Sequence, residues 1–93
     1  MKDYMSRHHM VPSSRNGSDE DWNIKDVRRS LHSAWHLLFG NLTPNEVLML
    51  VQSGVSLETP ARKSAWTTLF GKMSTGEVLY HIIEEWSPRG GKS

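Results

Sequence analysis

The chain has 93 residues, a net charge of +1 and no cysteine. That length fits one domain with a small core, and the lack of cysteine excludes a disulfide framework and any thiolate metal site. No run of about 18 apolar residues could cross a bilayer, and no apolar signal-peptide stretch opens the sequence, so a cytoplasmic protein with no membrane partner is expected.

Residues 1–22 read as a disordered tail. Pro12, Ser13, Ser14, Asn16 and Gly17 punctuate it and leave little apolar surface to bury. Residues 1–17 carry +2, and Asp19, Glu20 and Asp21 form an acidic step before the first apolar periodicity. The segment 24–86 is neutral, with six basic and six acidic residues.

Ile24, Val27, Leu31, Ala34, Trp35 and Leu38 recur at steps of three and four, which predicts a helix over 24–39. Gly40 stands where a helix-ending glycine with positive φ belongs. Thr43, Pro44 and Glu46 then supply an N-cap, a first-turn proline and a capping-box partner for a helix over 44–53. Leu42 and Val47 are placed as a hydrophobic staple.

The same grammar recurs 31 residues later. Residues 33–51 and 64–82 are identical at nine of nineteen positions without a gap, including Ser-Ala-Trp, Leu-Phe-Gly and Glu-Val-Leu. Thr59 and Pro60 open a helix expected over 60–70. Ser74 and Glu77 open another over 75–86, in which Gly76 costs about 1 kcal/mol relative to alanine. Pro88 and Gly90-Gly91 mark a flexible tail over 87–93.

The expected fold is therefore all-α: a compact four-helix domain over 23–86, made of two duplicated αα-hairpins. The period is shorter than that of common helical-hairpin repeats, and their signature residues are absent. Trp35, Trp66, Phe39 and Phe70 read first as core, with an aromatic ligand platform as the alternative.

Three surface readings follow. Lys25, Arg28, Arg29, His32 and His36 fall on one polar face of the first expected helix, and Arg62 and Lys63 occupy the matching region of the third. Together they form a candidate anion- or nucleic-acid-binding surface. Neither short helix over 44–53 or 75–86 suits a DNA major groove, since one lacks Lys and Arg and the other carries Glu77, Glu84 and Glu85. Met49, Leu50, Tyr80, His81 and Trp86 form a candidate protein-binding surface, because the run 47–51 is apolar beyond one helical stripe.

His32 and His36 stand four apart, a spacing for two metal ligands. Asp26 is the one carboxylate near that face, cysteine is absent, and His8-His9 lie in the segment read as disordered, so no metal or cofactor is expected. No nucleophile elbow or phosphate loop is present, and no catalytic residue is assigned. The sequence reading is a small non-enzymatic regulator or adaptor that binds another protein or itself as a homodimer, with no small-molecule substrate. The alternative is a nucleic-acid-associated regulator using the basic face and the tails.

Overall fold

The computed structural model describes residues 4–88. In chain order these are strand β1 (Met5–His9), a 3₁₀ turn at Ser13–Arg15, a second at Asp21–Asn23, strand β2 (Ile24–Arg28) and four helices. The helices are α1 (Arg29–Phe39), α2 (Pro44–Ser53), α3 (Pro60–Phe70) and α4 (Thr75–Glu85).

The all-α expectation is overturned by the antiparallel β1–β2 sheet, in which Ser6 opposes Val27 and His8 opposes Lys25. Residues 24–28 were expected to be helix, because Ile24, Val27 and Leu31 also fit a step of three and four. As a strand, the segment alternates instead. Val27 faces inward and Asp26 and Arg28 face out.

Of the disordered tail expected over 1–22, residues 1–3 lie outside the described residues, and 4–22 carry β1, the first 3₁₀ turn and the start of the second. One buried side chain organises them. Asn23 donates from Nδ2 to the carbonyls of Val11 (2.9 Å) and Ser18 (2.8 Å), and its Oδ1 accepts from the Val11 amide (2.8 Å). The connection must also fold tightly at Gly17, where a Cβ would stand 1.7 Å from the Val11 carbonyl oxygen. Arg15 then ties this loop to α2 through two bonds to Glu46, at 2.7 and 2.9 Å.

A duplicated αα-hairpin is not supported as the folding unit. The principal helix contacts run from α1 to α3 and from α2 to α4, across the two expected hairpins. The first expected hairpin also begins in strand rather than helix.

Local signals do set the helix ends. Thr43 with Glu46 and Ser74 with Glu77 each form a complete capping box, satisfying amides that a helix start would leave bare. Thr59 Oγ1 accepts from the Arg62 amide at 3.1 Å. Gly40 and Gly71 close α1 and α3 with φ of 54° and 58°.

The core joins Val27, Trp35, Leu38 and Phe39 to Val47, Val51, Ala65, Leu69, Phe70, Val78, Ile82 and Trp86. Of the tail expected over 87–93, residues 89–93 lie outside the described residues, while the Ser87 hydroxyl donates to the Ile82 carbonyl at 3.1 Å. Among the described residues no helix is long and apolar enough to cross a membrane.

Candidate functional site

The basic surface does not form as expected. Lys25 and Arg28 lie on β2 rather than on α1, and as strand positions of opposite parity they face opposite sides of the sheet. Lys25 Nζ reaches the end of α4, bonding Glu85 Oε1 at 2.6 Å and the Glu85 carbonyl at 2.7 Å. That carbonyl is at a helix C-terminus, where a cation is favourable. Arg62, half-buried, donates to the carbonyls of Ser56 (2.6 Å) and Leu37 (3.3 Å). Arg28, Arg29 and Lys63 are exposed.

The expected protein-binding residues divide. Met49 and Tyr80 are 69% and 66% exposed, while Leu50 and His81 are half-buried. Trp86 does not belong to a surface. It is 3% exposed and lies parallel to Trp35. The chain leaves α4 at Trp86, and the indole there closes the core that a short helix would otherwise leave open.

The outer side of α4 carries an open groove of about 530 Å³, lined by Met73, Glu77, Tyr80, His81, Glu84 and Glu85 with Gly76. Gly76, Glu77, Tyr80, His81, Glu84 and Glu85 share one face of α4, and Met73 joins them from just before its N-cap. Gly76, a weak residue in the first turn, leaves that face without a side chain where the groove begins. The His81 ring stands perpendicular to Phe70, 6.0 Å away. The groove combines a methionine and a tyrosine with three carboxylates.

Sequence reasoning missed one constellation. β1 brings His8 against His32 and His36 of α1, with ring centroids 5.2 and 5.7 Å away. His32 and His36 are 4.7 Å apart. One nitrogen of each ring lies within 4.8 Å of those of the other two. His8 is 1% exposed, and neither of its nitrogens has a hydrogen-bond partner among the described residues.

The other two rings are held from behind. His32 Nδ1 is hydrogen-bonded to Ser6 Oγ, and His36 Nδ1 donates to the Gly40 carbonyl at 3.1 Å. Burial, followed by the charges of His32, His36, His9 and Lys25, lowers the pKa of His8 from 6.5 to about 3. Burial and then His36 and His9 lower that of His32.

The expectation that His8 could contribute only from a mobile tail is thus corrected. The overlooked signal was alternation. Ser6, His8 and Met10 share one parity, as the inward face of a short strand requires.

No family model, curated protein or solved structure matches this chain.

Proposed function

We propose that the domain is a non-enzymatic binding module, a small regulator or adaptor that holds a segment of another protein on the outer face of α4. The observation that carries this reading is the groove in which Met73 and Tyr80 lie beside Glu77 and Glu84. Exposed tyrosine and methionine are typical anchors of protein contacts. The carboxylates favour a cationic amphipathic segment, which would offer apolar side chains to the floor and Lys or Arg to the rim. A cytoplasmic setting belongs to this reading and is in keeping with a cysteine-free chain.

Peptide display on the immobilised domain tests it. Selected peptides are expected to combine Lys or Arg with Leu, Ile or Phe, and Tyr80→Ala is expected to weaken them about 30-fold, as truncating a tyrosine anchor of ~2 kcal/mol would. Selection of acidic peptides, or binding indifferent to Tyr80→Ala, would remove the groove as the site. Nucleic-acid binding is the competing reading, and its support is the exposure of Arg28, Arg29 and Lys63. Salt-sensitive binding of duplex DNA that Arg28→Glu with Arg29→Glu abolishes would decide for it.

A further inference from the structure

We propose that His8, His32 and His36 form a site for one divalent transition-metal ion of the zinc class, joining β1 to α1. The site is separate from the α4 groove, and its test does not depend on that reading.

Geometry is the first argument. Around a tetrahedral ion with bonds of about 2.0–2.1 Å, ligand nitrogens stand roughly 3.4 Å apart. The three nitrogens here lie within 4.8 Å of one another. The set is therefore close to the size of a bound cage and would have to draw in around an ion. Two of the ligands come from successive turns of one helix and the third from a strand packed on it, so the cage is built on regular elements.

The second argument is the state of His8. A buried imidazole with two unpartnered nitrogens loses its hydrogen bonds to water and gains none in return. Aromatic packing accounts for part of its setting, since Trp35 and Trp86 meet the ring edge-on at 5.9 and 5.1 Å. Packing does not satisfy the nitrogens. A metal ion would satisfy one of them with a bond.

The third argument is the support around His32 and His36. Metal-bound histidines characteristically use their second nitrogen on a carbonyl or another polar group, which fixes the tautomer and aims the first nitrogen. Ser6 and the Gly40 carbonyl occupy Nδ1 of these two rings, leaving Nε2 as the nitrogen for an ion.

The donor set decides the class of ion. Three imidazoles suit zinc, copper, nickel and cobalt, whereas calcium and magnesium need oxygen ligands. The solvent side of the cluster opens into a cavity of about 310 Å³ whose lining includes His32, His36, Arg7, His9 and Asn41. A fourth, solvent-borne ligand has room there.

The experiment uses the full chain, stripped with EDTA and titrated at pH 7.5 with Zn²⁺ by calorimetry and with Co²⁺ by visible absorption. One ion per chain is expected, with intense four-coordinate Co²⁺ bands and quenching of the tryptophans adjoining His8. His36→Gln alters an exposed ring and should fold. It is expected to lose affinity by at least about 100-fold, more than the loss of an outer partner alone would cause. His9→Ala is expected to bind as the parent does. Absence of stoichiometric binding, equal affinity in the His36→Gln chain, or loss of binding in the His9→Ala chain with folding intact would each overturn the proposal. The last result would point to a local His8-His9 pair instead.

Discussion

Trp35 and Trp86 stack face to face, with ring centroids 4.2 Å apart and planes 4° from parallel. One indole belongs to α1 and the other follows the last turn of α4, so the pair joins the beginning and the end of the helical layer. Phe39 meets Trp35 edge-on at 4.6 Å, and His8 meets Trp86. Trp86→Ala is expected to cost about 3–5 kcal/mol, the range for a buried aromatic truncation. In a small domain that is a large share of the total stability. Urea unfolding followed by circular dichroism measures it. A loss below about 1 kcal/mol would mean that the indole is not part of the core.

Asn23 makes a different demand. Its amide replaces the backbone partners that a longer hairpin would have given Val11, and the residue is fully buried. Asn23→Ala removes three bonds and leaves the Val11 amide and carbonyl to find other partners. The expected cost is about 1–3 kcal/mol. Hydrogen exchange should quicken first over 10–23, ahead of the four helices. Uniform quickening across the chain would show that the loop and the helices open as one unit.

These two residues mark the limits of what the sequence discloses. Capping boxes are local, so Thr43/Glu46 and Ser74/Glu77 can be read directly, as can the corners at Gly40 and Gly71. Strand pairing is not local. Ile24 and Val27, three apart, fit a helical spacing and fall on opposite faces of a strand, so the pattern points to helix, and the strand is made by pairing with residues 5–9, which contain a single conventional core side chain, Met5, and it faces out.

The loop between the strands is closed by polar bonds from Asn23, so hydrophobic patterning carries no trace of it. The histidine cluster was hidden for the same reason. Two ligands at helical spacing are visible in the sequence, but the third is reached only through the pairing of β1 with β2.

The pH dependence of stability has a definite sign. His8 is neutral in the fold down to about pH 3, whereas an unfolded histidine takes up a proton near 6.5. Below 6.5 the unfolded chain therefore binds a proton that the native chain does not, and stability falls with pH from 6.5 towards 3. Glu46 adds to the loss lower down. The Arg15 bond, followed by the Thr43 amide, lowers its pKa from 4.5 to about 2, so its stabilisation is present above 4.5 and lost between 4.5 and 2.

Urea midpoints in EDTA are expected to fall between pH 7.5 and 5.0, before any carboxylate of ordinary pKa titrates strongly. A His8→Phe chain should lose most of that slope. A midpoint independent of pH over this interval in the parent chain would show that His8 is not buried in solution.

Tyr80 and Ile82 separate binding from folding on one helix. Tyr80 is 66% exposed in the groove, and Ile82, two residues on, is wholly buried. Tyr80→Ala is expected to change stability by no more than about 0.5 kcal/mol, as surface substitutions do. Ile82→Ala removes core methyl groups and is expected to cost about 2–5 kcal/mol. Thermal melts of both variants test the contrast. If Tyr80→Ala destabilises the chain as strongly as Ile82→Ala, the tyrosine serves the fold and the groove loses its anchor. If only Ile82→Ala does so, the exposed ring contributes little to folding, and any effect of its removal on a bound peptide can be assigned to the contact itself.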